Sequence, residues 1–416
     1  SMDFTLGGFG RDINVGGPLL FESNRDPSQS NATANAILAG EVVQGEDIES
    51  LDITTNMDLG SLGLENGALR NVTGTVTVQS GGLNVVGGNS LGQNGSVDLV
   101  LETPVDGSAD PTVSLSLAIA NENNNIATIN TLTSENADAL IQAVSTEGAT
   151  STNDFKFQIN EGTYAGQFSD DYDEAVAGSR RLSVGVAGGE FNFSGAATNT
   201  GKFELLTDES VMNLTGSIAN SGGISLASGS EFNVLASEDD PLINGSIVTV
   251  EQVESDEFNG GLGLASGSTL NVLDQGTVSI GGDTSVSGSV FVSSSDTLEN
   301  PAPFTALTLG ANSDSLVAIE NGGRIEIQDR AQATINGTTS VNSGGTLLIG
   351  ANMPEPEPEE DDAEDDDAED DDAEDDDAED DGEDVEEEMV DSIARLSSTY
   401  CSPSNGHVRA FLTLGW

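Results

Sequence analysis

The chain is poor in the residues from which catalytic and metal centres are most often built. Its 416 residues include one cysteine, Cys401, and one histidine, His407. A single cysteine cannot form an intrachain disulfide. A single histidine near the C-terminus cannot supply a histidine-rich zinc site or a Ser-His-Asp triad in the rest of the chain. The sequence therefore predicts no catalysis and no tightly bound cofactor.

Positive charge and long apolar runs are also scarce. Lys and Arg together number 11 against 72 Asp and Glu, which gives a formal net charge of −61. A surface that binds nucleic acid needs the opposite sign, so nucleic acid is not expected as a partner. No stretch approaches the roughly 18 consecutive apolar residues of a membrane-spanning helix, so we expect no transmembrane helix.

A short pattern recurs along the chain. LASGSEFNVL at 226–235 returns as LASGSTLNVL at 264–273, and a looser copy, LTDESVMNLT, lies at 206–215. Apolar residues alternate in short runs that Ser-Gly clusters separate, which is typical of short strands joined by turns. Units of about 20 residues with strands this short bury a core only when they stack on each other. The sequence therefore predicts an all-β fold, a parallel β-solenoid.

The spacing of the copies predicts a register. The first copy follows the looser one by a single coil, so Asn213 and Asn233 are expected on adjacent coils with their side chains outward. Ile224, Leu226, Phe232 and Val234 are expected to fill one slice of the core. The longer step to the last copy is interpreted as two coils, with the stretch around 244–253 as the coil between them.

The unit GSIANSGGISLASGSEFNVL at 216–235 resembles the passenger repeats of autotransporters and of filamentous-haemagglutinin-type adhesins. The resemblance is clearest over 185–352. It implies a right-handed β-helix, a secreted protein that is extracellular or at the cell surface, and a structural or adhesive role. The long acidic run near the C-terminus is a departure from those families.

Composition divides the chain into three parts. Residues 3–352 are predicted to form the solenoid, with a loop or short-helix insertion at about 133–180. The helix is expected at SENADALIQAV (134–144), with Ser134 as its N-cap. Residues 353–391 are expected to be a disordered acidic low-complexity linker, and 392–416 a short C-terminal segment.

Acidic residues provide the candidate ligands for a metal ion. Residues 355–391 contain 27 Asp and Glu and no Lys or Arg. Such a run is expected to bind Ca²⁺ weakly and diffusely, because carboxylate oxygens are preferred calcium ligands. A second candidate is the loop SDDYDE, in which Asp170, Asp171, Asp173 and Glu174 form either a weak calcium site or an ordinary acidic surface loop.

The function that these observations favour is a non-catalytic extracellular rod, structural or adhesive. Its expected partners are a cell surface, a glycan or mineral surface, or further copies of itself. The alternative is an acidic matrix protein that binds calcium or a mineral. A third hypothesis is a polysaccharide-active enzyme, in which carboxylate pairs such as Asp239 and Asp240 would be the catalytic groups. An ice-binding face would need a regular Thr-x-Thr array, of which Thr75 and Thr77 are one instance without a visible ladder.

Overall fold

The computed structural model describes most of the chain up to residue 349. The described residues are 2–7, 12–23, 34–65, 67–91, 96–104, 113–118, 125–145, 154–173, 176, 179–235, 247–250, 260–294, 305–311, 314–328 and 331–349. The predictions for the acidic linker, the C-terminal segment, Cys401 and His407 lie outside these residues.

The described residues are almost entirely β-strands, with one 3₁₀ turn at Gly88–Leu91. In chain order the strands are β1 (Met2–Leu6), β2 (Ile13–Val15), β3 (Leu19–Glu22), β4 (Ala34–Leu38), β5 (Val42–Gln44), β6 (Ile53–Leu64), β7 (Gly74–Val86), β8 (Val97–Leu101), β9 (Val113–Ala118), β10 (Ile126–Ser134), β11 (Leu140–Ala143), β12 (Phe155–Tyr164), β13 (Gln167–Asp170), β14 (Leu182–Val186), β15 (Glu190–Phe193), β16 (Ala196–Asn199), β17 (Phe203–Leu205), β18 (Val211–Leu214), β19 (Ser217–Asn220), β20 (Ile224–Leu226), β21 (Glu231–Val234), β22 (Ile247–Val250), β23 (Leu262–Leu264), β24 (Thr269–Leu273), β25 (Thr277–Ile280), β26 (Thr284–Val286), β27 (Ser289–Ser293), β28 (Ala306–Leu309), β29 (Leu316–Ile319), β30 (Arg324–Ile327), β31 (Gln332–Ile335), β32 (Thr338–Val341) and β33 (Thr346–Ile349).

These strands form a parallel β-solenoid, as the sequence predicted. From β14 onward each coil contributes one strand to each of three ladders, so that β14 pairs with β17, β15 with β18, and β16 with β19, all in parallel. We call these the first, second and third ladders, and they end at β32, β33 and β31. The longer strands β10 and β12 each serve the first and second ladders, whereas β6 and β7 serve the second and third.

The core is a continuous column enclosed by the three ladders. The predicted slice is confirmed, because Ile224, Leu226, Phe232 and Val234 are at most 4% exposed. Aromatic side chains gather in one part of the column and pack against one another; the rings of Phe168 and Phe193 are tilted, with centroids 5.3 Å apart. Alternation of buried and outward residues along each strand leaves every second side chain on an outer face.

The predicted register is right for one pair of coils and wrong for the next. Asn213 pairs with Asn233, as expected for adjacent coils. Asn271, however, pairs directly with Asn233, so the step of 38 residues is a single coil and not two. The strand β22 within that step belongs to the third ladder, where it pairs with β19 and β25. In the sequence, the additional residues of this step lie between β21 and β22 and between β22 and β23.

The predicted short helix at 134–144 is also wrong. Ser134 ends β10, and Leu140–Ala143 is the strand β11, which pairs in parallel with β9 and β13. Ile141 and Ala143 are fully buried while Leu140 and Gln142 are half-buried, which is an alternation of period two. The apolar spacing was compatible with a helix as well, and pairing with both neighbouring coils decides the outcome.

Candidate functional site

The structure gives Asp170, the first of the calcium candidates, a role in the fold. The carboxylate accepts hydrogen bonds from the backbone N–H of Leu182 at 2.9 Å and of Thr200 at 2.7 Å. The Thr200 hydroxyl donates a third bond to it. Burial raises the pKa of Asp170 above its ordinary value, and these hydrogen bonds oppose that shift without cancelling it. The side chain therefore links β13 to the coil that follows.

Asp170 heads a polar column at the corner between the third and first ladders. Asn199 and Asn220 end the next two strands of the third ladder and are paired with each other. Asn199 Nδ2 donates to the Leu182 carbonyl at 2.6 Å, and Asn220 Nδ2 donates to the Gly201 carbonyl. Both side chains are buried, and both satisfy backbone groups that the turn leaves without strand partners. Asp170 also satisfies backbone groups at this corner, but as an acceptor from N–H groups and not as a donor to carbonyls.

Asp171 is also engaged by the fold. Its carboxylate accepts bonds from the backbone N–H of Ser145 at 2.9 Å and from the Ser145 hydroxyl at 2.5 Å. Burial lowers the pKa of Arg180, and the charge of Asp171 partly offsets this effect. The Arg181 guanidinium lies over the Tyr172 ring, 4.1 Å from its centroid, which is a cation–π geometry. This cluster ties the chain after β13 to the preceding coil.

The calcium hypothesis for SDDYDE stays a prediction. Glu174 lies outside the described residues, and the backbone carbonyl of Asp173 accepts a bond from the Ser179 hydroxyl. In the part of the chain that the structure describes, no group of three or more His, Cys, Asp or Glu side chains could hold a metal ion. The carboxylates Asp239 and Asp240, which an enzyme could use, lie outside the described residues as well.

The outer surface of the second ladder carries a column of asparagines. Asn213 Nδ2 donates to Asn192 Oδ1 at 2.9 Å, Asn233 Nδ2 to Asn213 Oδ1 at 2.9 Å, and Asn271 Nδ2 to Asn233 Oδ1 at 2.7 Å. Such a ladder of amides stabilises stacked strands, because each amide bonds to the coil before it. The same outer surface is charged at Glu22, Asp98, Glu161, Glu190, Glu231, Arg324 and Glu326.

The outer surface of the third ladder, which we call the third face, is different. Each strand of the third ladder, from β13 to β31, presents two outward residues. Pairing between these strands places the outward residues in two columns along the rod. None of them is charged. They are Gln167, Ser169, Ala196, Thr198, Ser217, Ala219, Ile247, Thr249, Thr277, Ser279, Ala306, Thr308, Gln332 and Thr334.

The coils from β4 to β11 continue the third face without charge. Their outward positions from β4 to β11 are Asn35, Ile37, Ser61, Gly63, Gly82, Asn84, Ser114, Ser116, Leu140 and Gln142. This surface was not predicted from the sequence. Each strand contains uncharged outward residues, but the continuous uncharged surface is visible only when strands about 20 to 38 residues apart are aligned in register. The pairs Asn213–Asn233 and Asn233–Asn271 show these two spacings.

In comparisons with known proteins, no family model, no curated protein and no solved structure matches the chain. The resemblance to adhesin repeats therefore rests on the pattern of the repeats and on the fold that they form. No helix among the described residues is long and apolar enough to cross a membrane.

Proposed function

We propose that the protein is a non-catalytic extracellular rod that adheres to a surface through its repeated outer faces. One observation carries the proposal, namely that the coils stack in register from β3 to β33 on the second ladder and from β1 to β31 on the third. At about 4.8 Å per coil, this stack is on the order of 60 Å long.

A stack of this kind suits adhesion because it repeats the same contact. Each coil presents a few short side chains to the outside, and a single coil contributes little to binding. Contacts in several coils act together once the first has formed, since the rod holds them in one line. Extracellular location and a structural or adhesive role are also what the resemblance to adhesin repeats implies.

The alternative is an acidic matrix protein that binds calcium or a mineral surface. The observation in its favour is the run of 27 carboxylates in 355–391. In that case the rod would serve as a support and the acidic run would make the contact. The two functions differ in which part of the chain binds.

Coil deletion tests the adhesive rod. Because Leu214 pairs with Val234, removal of residues 214–233 excises one coil in register. Because Phe193 pairs with Leu214, removal of 193–233 excises two. We expect both variants to keep β-rich circular dichroism. Adsorption is measured on chitin, cellulose, hydroxyapatite and ice. If the rod binds through its faces, its affinity for the surface that it adsorbs to should fall with each coil removed.

Two results would contradict the proposed function. The first is a full-length chain that adsorbs to none of these surfaces. The second is the release of reducing ends from the soluble polysaccharides that correspond to chitin or cellulose, which would reveal an enzyme. A chain that ends at Asn352 serves as the control, because it keeps all the described coils and lacks the acidic run.

A further inference from the structure

Charge is segregated between the faces of the rod. The whole chain carries a formal net charge of −61, and Glu190, Glu231 and Glu326 lie on the outside of the second ladder. The third face has no Asp, Glu, Lys or Arg at any outward position from β4 to β31. On the first ladder, the strands from β10 to β32 present one outward carboxylate, Glu204, which lies 3.9 Å from Lys156, so most of the outward charge is on the second ladder. The third face carries no charge from β4 to β31, which favours a contact that charge would prevent.

The third face combines hydroxyl and methyl groups in a regular grid. In the column that contains Thr249, strand pairing places Thr198, Ala219, Thr249, Ser279, Thr308 and Thr334 in line. The second column includes Ile247, which is 50% exposed although it is apolar. Outward residues lie about 6.7 Å apart along a strand and about 4.8 Å apart between coils.

The side chains on this grid are short between Gln167 and Gln332, the two glutamines on its end strands. The longest residue between them is Ile247, and the others are Thr, Ser and Ala. A surface with no long or mobile side chains can lie against a flat solid with little loss of conformational entropy. The partner that fits such a surface is itself flat, ordered and uncharged.

We propose that the third face binds ice. The proposal rests on the proposed function, because it names the solid to which the rod adheres. The grid repeats along the strands and between the coils, so it suits a solid that is itself periodic and uncharged, as ice is. Hydroxyl groups hydrogen-bond to lattice water, and the adjacent methyl groups restrict first-shell water without an ionic field. A charged side chain would orient water around itself and disrupt the match, which explains the absence of charge.

Other solids fit the third face less well. Crystalline polysaccharides are commonly bound by stacking on aromatic rings, and no outward position of this face from β4 to β31 holds Phe, Tyr or Trp. Mineral surfaces that contain calcium attract carboxylates, which this face also lacks. Charged residues on the second ladder keep the remaining surface hydrated while the third face is in contact with the solid.

The test uses the full chain labelled at its single thiol, Cys401, which lies far along the sequence from the third face. Labelled protein is mixed with a labelled soluble protein that does not bind ice, and a polycrystalline ice front is grown slowly through the mixture. We expect the chain to be enriched several-fold in the ice fraction over the reference protein. Thermal hysteresis and inhibition of recrystallisation provide independent readouts.

Two matched variants locate the contact. Thr249→Lys adds one charge in the middle of the third face, between Ala219 and Ser279. Thr269→Lys adds the same charge to the outside of the second ladder, where Thr269 pairs with Glu231. Both threonines are half-buried on regular strands. We expect Thr249→Lys to reduce enrichment in ice at least tenfold and Thr269→Lys to leave it unchanged, with equal melting temperatures for the two variants.

Several results would overturn the proposal, and they separate it from the proposed function. Exclusion of the full chain from ice, or equal enrichment of the two variants, refutes ice binding. If ice excludes the chain but Thr249→Lys abolishes adsorption to chitin or cellulose, the adhesive rod stands and its target is a polysaccharide. If Thr249→Lys converts a dimer to a monomer in sedimentation, the third face joins two copies. If nothing is bound and the chain is monomeric, both proposals fail.

Discussion

Replacement of Asp170 tests whether its carboxylate stabilises the corner between the third and first ladders or serves to bind a metal ion. In Asp170→Ala, the backbone N–H groups of Leu182 and Thr200 lose their acceptor. A buried donor left without a partner costs about 1–3 kcal/mol. Asp170 is itself only half-buried, so water reaches part of the site. We expect a total loss of about 2–4 kcal/mol in the free energy of unfolding.

Asp170→Asn should behave differently, because Asn already occupies the equivalent corner in the next two coils as Asn199 and Asn220. The amide keeps one oxygen that can accept from both N–H groups, and it removes a charge from a partly desolvated site. We expect its stability at neutral pH to lie within about 1 kcal/mol of the wild type. A site that depended on the charge of Asp170 would not tolerate this change.

The direction of the pKa shift also fixes a pH dependence. Burial raises the folded-state pKa of Asp170, so the folded chain holds this proton more tightly than the unfolded chain does. The contribution of Asp170 to stability is therefore fully present below the unfolded pKa and is lost as the pH rises through the folded pKa. The wild type should lose stability relative to Asp170→Asn as the pH increases from the acidic range to neutrality.

Urea unfolding followed by circular dichroism at several pH values measures these differences. Asp138→Ala is the control, because Asp138 is an exposed acidic residue in the turn before β11 and its loss should change stability by no more than about 0.5 kcal/mol. Two results would refute the assignment. One is an Asp170→Ala variant as stable as the control, and the other is a wild type that gains stability over Asp170→Asn as the pH rises.

Two further predictions concern the core and the acidic run. Phe232→Asp places a charge between Met212 and Leu270 in a column where Phe232 is 1% exposed, and it should cost several kcal/mol. Asn233→Asp, one residue further and outward, should cost much less, and equal melting shifts would refute the assignment of the two faces. A chain that ends at Asn352 should lose most of its weak, salt-sensitive calcium binding while its melting temperature stays the same. Tight, stoichiometric calcium binding to that shorter chain in titration calorimetry would instead place the sites in the rod.

The fold was predictable because the strands and turns of a solenoid repeat along the chain, so the period is visible in the local sequence. Leu226 and Phe232 alternate with polar residues, and the same letters return one coil later, so strand, turn and stacking all follow from neighbouring residues. Coil length is less well determined. The step from Asn233 to Asn271 contains additional residues between β21 and β22 and between β22 and β23, and a sequence between two strands does not have to keep a period. Repeat spacing alone therefore assigned one coil as two.

Candidate sites were harder to predict because they depend on residues that are distant in sequence. SDDYDE reveals an acidic cluster, but the donors that engage Asp170 are supplied by Leu182 and Thr200. The strand β11 shows the same limit, since Ile141 fits a helical and an alternating spacing equally well and only its pairing with Leu115 and Phe168 distinguishes them. Local patterns specify which residue types are available, and the register decides what they contact.

The third face shows most clearly why register must come before function. A shift of one residue in a strand exchanges its inward and outward side chains. A shift of one coil in the stack changes which outward residues become neighbours. With β22 placed on the second ladder, Thr249 would extend the asparagine column; on the third ladder it continues a line from Thr198 to Thr334. The absence of charge is consistent over that entire line, whereas the identity of each residue varies among Thr, Ser and Ala. The shared property of the face is thus neutrality with short side chains, and a search for one repeated motif such as Thr-x-Thr passes over it.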